Sequence, residues 1–142
     1  MRIFLDANVL FSAAYSDGAI RRLMNDLHGA GHTVVADRYV IEEALRNLEI
    51  HRHESISFFH TLTTSMTIVP ISLRSEEIPP DFHLPEKDIP VLASAIAAGC
   101  DILTTGDTRH FGAHYGRTVA GVTIRSPVDT ARTLFGHDHG RQ

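Results

Sequence analysis

Acidic residues of this chain fall at four places where separate elements begin or end. Asp6 follows the apolar run Arg2–Leu5, and Glu42 and Glu43 lie early in a helical stretch. Asp88 stands ahead of the apolar segment Val91–Ala98, and Asp107 closes the break Thr-Gly-Asp after Ile102–Thr105. Taken singly, an aspartate in such a place is a turn or cap residue. Taken together, carboxylates that converge raise one another's pKa, and a hard divalent cation resolves the conflict. Mg²⁺, the hardest candidate, takes oxygen ligands and binds through a few carboxylates plus substrate phosphates. The chemistry within reach is therefore metal-assisted hydrolysis at phosphorus. No Cys/His spacing suits zinc: His51/His53 and His137/His139 are isolated His-x-His pairs and read as surface residues.

Convergence requires particular elements. Arg2–Leu5, Thr33–Ala36, Thr67–Ile71, Ile102–Thr105 and Val122–Arg125 read as strands. Helices are expected over Ala19–Gly29, Tyr39–Ile50, Glu54–Thr64, the segment from Asp88 to Ala98, and Pro127–Leu134. Asp88 is expected to cap its helix, with Pro90 in the first turn. Ser75–Glu86, with Pro79, Pro80 and Pro85, reads as a loop. Strands alternating with helices imply a three-layer α/β/α sandwich around a five-stranded, mainly parallel sheet. In such sheets sites form beyond the carboxyl ends of the strands, where strand order reverses. Asp6 and Asp107 meet if the first and fourth strands are neighbours there. Asp37 and Asp101 read as cap and turn acids. The helix stripe Ile41, Ala44, Leu45, Leu48 leaves both Glu42 and Glu43 off the core face and does not choose between them.

With 142 residues the chain is sized for one domain, expected over 1–136, with a short polar tail at 137–142. A single cysteine, Cys100, allows no internal disulfide and fits a reducing cytoplasm; it reads as a small core residue. No apolar run approaches a membrane span, and no secretory leader is expected ahead of a strand that begins at Arg2. The net charge of −4 hides an asymmetry. Residues 1–104 carry 8 basic against 14 acidic side chains (−6), whereas residues 105–142 carry 5 against 3 (+2). This suits a polyanion handled at a cation-filled acidic pocket, or simply an uneven solvated surface, and does not suit a salt-driven, high-affinity nucleic-acid binder.

"FLDANVLFSA" (4–13), "VIEEALRNL" (40–48) and "EKDIPVLASAIAAGCDILTTGD" (86–107), followed by "TRHFG", together resemble the PIN domain. This is the nuclease fold of VapC-type toxins and of RNA-processing enzymes. The resemblance spans nearly the whole chain, and the third stretch is its most specific part. It implies that Asp6, Asp88 and Asp107 are metal-site carboxylates, that Glu43, just before Ala44, is the helical acid, and that Asn8, Ser12 and Thr105 are polar groups around the metal. At Arg109 and His110 the chain departs from many relatives, which carry a further acid there; these two side chains are candidates for touching RNA backbone.

The function so implied is an Mg²⁺- or Mn²⁺-dependent endoribonuclease, using one ion or two. As the toxin of a toxin–antitoxin system it would have RNA as substrate, a small antitoxin as partner, and a homodimer as its assembly. Two rivals differ from it in sequence or in test. An aspartyl-phosphate phosphatase also begins with a strand ending in Asp, but needs a second Asp two residues on, where this chain has Asn8. A non-catalytic PIN-like module that binds RNA or protein differs in not cleaving RNA with metal.

Overall fold

Strands buried on both faces of a parallel sheet read as unbroken apolar runs. Ile3, Phe4 and Leu5 of β1 (Arg2–Leu5), each fully buried, follow that rule. The computed structural model describes residues 1–136. After β1 come α1 (Ala7–Tyr15), α2 (Ala19–Gly29), β2 (Thr33–Asp37), α3 (Arg38–His51), α4 (Ile56–Thr63) and β3 (Thr67–Val69). An irregular segment then leads through a 3-10 turn at Glu86–Asp88 to α5 (Ile89–Ala97), β4 (Ile102–Thr104) and the short α6 (Thr108–Phe111). The hairpin of β5 (Thr118–Val119) and β6 (Val122–Arg125) and then α7 (Pro127–Phe135) complete the described chain.

The sheet order is β3-β2-β1-β4-β6-β5. Its first five members are parallel, and the chain steps outward to β3 on one side of β1 before crossing to β4 on the other. With right-handed crossovers, opposite directions of travel place the connecting helices on opposite faces, giving the three layers. The reversal lies between β1 and β4, registered with Ile3 opposite Ile102 and Leu5 opposite Thr104. Asp6 and Thr105 are thus the next residues outward on neighbouring strands.

Two local expectations need correction, and one element was not foreseen. The sheet has six strands rather than five, because Thr118–Val119 folds back antiparallel on β6. Its two-residue turn places Ala120 at φ 49° and Gly121 at φ 88°, the positive angles of a tight hairpin, and Ala-Gly is a weaker signal for it than Asn-Gly. The stretch after Asp6 is a helix of its own, α1, with Ala7, Val9, Leu10, Ala13 and Ala14 buried against its neighbours. Asp88 stands at the head of α5, but its side chain makes no cap hydrogen bond there. It already has helical backbone angles (φ −95°, ψ −14°), whereas a capping residue is normally extended.

The segment that delivers Asp88 is held from outside the sheet. Phe82, buried, stacks on the ring of His114 with centroids 3.9 Å apart, and the Arg117 guanidinium lies 4.6 Å from the Phe82 centroid. The His114 Nε2 is 2.7 Å from the carbonyl of His83, which it meets as a donor. Phe82→Ala should cost roughly 3 kcal/mol, the usual loss for truncating a buried phenylalanine. Urea unfolding measures it; a loss below about 1 kcal/mol would mean that the stack anchors nothing.

Cys100 is buried at the end of α5, as expected, and burial pushes its thiol up to about 11. No helix among the described residues is long and apolar enough to cross a membrane. The expectations for His137, His139 and the tail at 137–142 lie outside the described residues.

Candidate metal centre at the strand-order reversal

Asp6 ends β1 and caps α1: its Oδ1 accepts from the Ala7 amide at 2.8 Å. Its Oδ2 accepts from the Thr105 hydroxyl at 2.8 Å and from the Asn8 amide at 3.2 Å. The backbone closes the same gap, with the Asp6 N–H donating to the Thr104 carbonyl at 3.0 Å. Asn8 also reaches the other strand end, accepting from the Gly106 N–H at 2.7 Å. A side chain at 106 would crowd that bond, since a Cβ there would stand 3.1 Å from Asn8 Oδ1. Thr105, fully buried, additionally accepts from the Asp107 N–H at 3.2 Å. Asp6, Asn8, Thr105 and Asp107 therefore form one continuous polar network across β1 and β4.

Asp107 caps α6, accepting from the His110 N–H at 3.2 Å. One helical turn later the His110 ring returns to the same carboxylate, its Nδ1 2.8 Å from Asp107 Oδ2 and 2.9 Å from Asp88 Oδ2. Neither contact has hydrogen-bond geometry, so the buried Nδ1 of His110 and the buried Oδ2 of Asp88 are left without a hydrogen-bond partner. One donor atom from each of these three residues lies within 4.8 Å of the others. Among the described residues no comparable set includes Asp6 or Glu43.

Electrostatics links the two groups. Burial, reinforced by the charges of Asp88 and Glu43, raises the Asp6 pKa to about 6 against the pull of its hydrogen bonds from Thr105 and Ala7. Asp88 is also raised, first by burial and then by Asp107 and Glu43, with His110 and Lys87 opposing. Tyr39 and Tyr115 are raised by burial and by the same acids. Glu43, half-buried on α3, contributes to the shifts of Asp6, Asp88 and Tyr39; Glu42 is exposed and contributes to none of them. The geometry thus separates two residues that the helix stripe alone left equivalent.

The other expected residues lie as follows. Ser12 is exposed on α1 and makes no hydrogen bond to Asp6, Asn8 or Thr105. Arg109 is exposed beside the acids, while the His110 ring turns toward them. Asp37 caps α3 through the Val40 N–H at 3.1 Å, and Asp101 accepts from the Arg2 N–H at 2.9 Å at the opposite end of the sheet. His51 and His53 are exposed. Two tyrosines at the site were not anticipated. Tyr115 donates to the Thr105 carbonyl at 2.7 Å, and Tyr39 donates to the Lys87 carbonyl at 2.9 Å, next to Asp88. Tyr39 could have been found from spacing, since it lies one turn before Glu43.

The donors fit a divalent cation. They comprise carboxylates whose charges oppose one another, a buried carboxylate oxygen with no hydrogen bond, and one imidazole nitrogen.

A doubly wound α/β domain with acids gathered at its strand-order reversal defines the class. Within it, the chain resembles several solved toxin structures. The VapBC2 structure from Rickettsia felis, bound to a DNA fragment from its promoter, matches at TM-score 0.64 and 14% identity, over 89% of this chain and 98% of that one. A toxin–antitoxin complex from Klebsiella pneumoniae matches at TM-score 0.62 and 17% identity, over 85% and 95% of the two chains. VapC20 of Mycobacterium tuberculosis, a sarcin–ricin loop cleaving toxin, matches at TM-score 0.58 and 14% identity, over 82% and 98%. The fold is the VapC-like PIN fold. No protein-family model and no curated protein matches the sequence.

Proposed function

We propose that this protein is a divalent-metal-dependent endoribonuclease, the toxin of a toxin–antitoxin pair acting in the cytoplasm. The observation that carries the reading is the buried Asp88 oxygen, without a hydrogen bond, gathered with Asp107 and His110 at the strand-order reversal, with Glu43 close enough to raise the pKa of both Asp6 and Asp88. Asp6, Glu43, Asp88 and Asp107 would hold Mg²⁺ or Mn²⁺. A bound ion supplies an activated water and neutralises charge on the scissile phosphate. Asn8 and Thr105 fix the Asp6 carboxylate by hydrogen bonds, which leaves it one orientation toward the site. Arg109, exposed, would touch RNA backbone. Products would carry a 5′-phosphate and a 3′-hydroxyl. An antitoxin and a second copy of the chain are the proposed partners. Exposed Leu73 and Ile71, apolar side chains beside α5, are of the kind a protein partner covers.

Purified protein incubated with labelled single-stranded RNA should cleave it with Mg²⁺ or Mn²⁺ and leave it intact in EDTA. Cleavage that persists in EDTA, or fails with both ions, defeats the reading. Binding of RNA without cleavage would favour the non-catalytic module.

A further inference from the structure

We infer that His110 is a ligand as well as a neighbour: with Asp88 and Asp107 it completes a mixed nitrogen–oxygen site that favours Mn²⁺ over Mg²⁺. The inference rests on the metal reading proposed above and adds a ligand and an ion preference to it. An imidazolium serving only as a salt-bridge partner would aim its N–H along one carboxylate lone pair. Here Nδ1 sits nearly equidistant from Asp88 Oδ2 and Asp107 Oδ2, at 2.9 and 2.8 Å, with no hydrogen-bond geometry toward either.

Asp88 adds to this sign of a missing occupant. It is 8% exposed, and its Oδ2, 2.9 Å from His110 Nδ1, has no hydrogen-bond partner. In an octahedral site with bonds of about 2.1 Å, adjacent ligand atoms stand about 3.0 Å apart. The two nitrogen–oxygen separations are already close to that edge, so an ion can enter with little side-chain movement. The ring is held in place from two sides: Asp107 Oδ1 accepts the His110 N–H, and the next residue, Phe111, is fully buried. Imidazole is a poor ligand for Mg²⁺, which prefers oxygen and water, and a better one for first-row transition ions. Two carboxylates with one imidazole therefore favour Mn²⁺ over Mg²⁺.

The test uses the full chain, stripped with EDTA and exchanged into metal-free buffer. Calorimetric titration with Mn²⁺ and with Mg²⁺ should show Mn²⁺ binding roughly tenfold tighter or more. Pulsed EPR of the Mn²⁺-loaded protein should show a nitrogen hyperfine coupling. His110→Ala should lose the coupling and roughly tenfold in Mn²⁺ affinity, while Mg²⁺ affinity moves about threefold or less. His110→Asp should bind both ions without the coupling and with a narrower preference. Mn²⁺ bound to wild type with no nitrogen coupling, or bound equally well by His110→Ala, overturns the inference and leaves the metal reading standing. An absence of binding by either ion overturns both.

Discussion

Asp107→Asn should reduce RNA cleavage by roughly 100-fold or more while the protein remains folded. Asparagine keeps the shape of aspartate, so its oxygen can still cap α6 through the His110 N–H. What it removes is one negative charge and one strong ligand oxygen. If that oxygen holds the ion, several kcal/mol of charge stabilisation in the transition state go with it, at about 1.4 kcal/mol per tenfold in rate. A turn role alone predicts a different outcome: near-normal activity with any change confined to stability. Asp101→Asn is the control. Asp101 flanks the same apolar strand at its start and also accepts a backbone N–H, from Arg2, but at the opposite edge of the sheet. Initial rates and melting temperatures of both variants decide the matter. Asp107→Asn within a few-fold of wild type, or Asp101→Asn equally impaired, would put the site elsewhere.

The contrast between these two aspartates shows what could be read from the sequence. Apolar runs and helix periods located five of the six strands, β1 to β4 and β6, and five of the helices; in β1 and β4, burial on both faces leaves no polar alternation to confuse the reading. Strand direction then put Asp6 and Asp107 at one edge and Asp101 at the other without any coordinates. Elements built from short-range geometry were less legible. α1 carries Asn8 and Ser12 within an otherwise apolar stretch, and the two residues of β5 depend on a turn that Ala-Gly signals weakly. Side-chain direction was the least legible. Asp88 was expected both to cap its helix and to join the other acids; it lies with Asp107 but makes no cap bond, since its backbone is already helical where a cap should be extended. The His110 ring was expected at the surface toward RNA, but one turn of α6 carries it back over Asp107. The choice of Glu43 over Glu42 depends on where α3 starts. With Asp37 as its cap, Tyr39 and Glu43 share a stripe, and that stripe faces the acids.

In metal-free buffer the acid cluster should make the protein less stable as pH rises from about 4 to about 6, and bound Mn²⁺ should reverse this. Asp6 titrates near 6 in the folded chain against 3.8 when unfolded. The folded state therefore holds its proton more tightly, so the favourable contribution is complete below pH 3.8 and is lost as pH rises through 6. The rise from 3.8 to about 6 corresponds to about 3 kcal/mol at neutral pH. Asp88, raised for the same reasons, acts in the same direction. Asp6→Asn isolates the Asp6 part, because asparagine mimics the protonated acid and keeps an acceptor for the Ala7 N–H. In EDTA the variant should match wild type near pH 4 and exceed it by up to about 3 kcal/mol at pH 7. Saturating Mn²⁺ should invert the order. The ion binds only the native site, adding about 4.1 kcal/mol at a concentration 1,000 times its Kd, more than the gap of about 3 kcal/mol, and Asp6→Asn would lose a ligand for it. Asp88→Asn should likewise gain little from the ion. Urea titrations at pH 4, 5, 6 and 7, with EDTA and with Mn²⁺, give the stability differences directly. A gap between wild type and Asp6→Asn that is independent of pH would show that Asp6 is not under the strain its burial implies. An equal gain from Mn²⁺ in wild type and both variants would show that the ion binds away from this cluster.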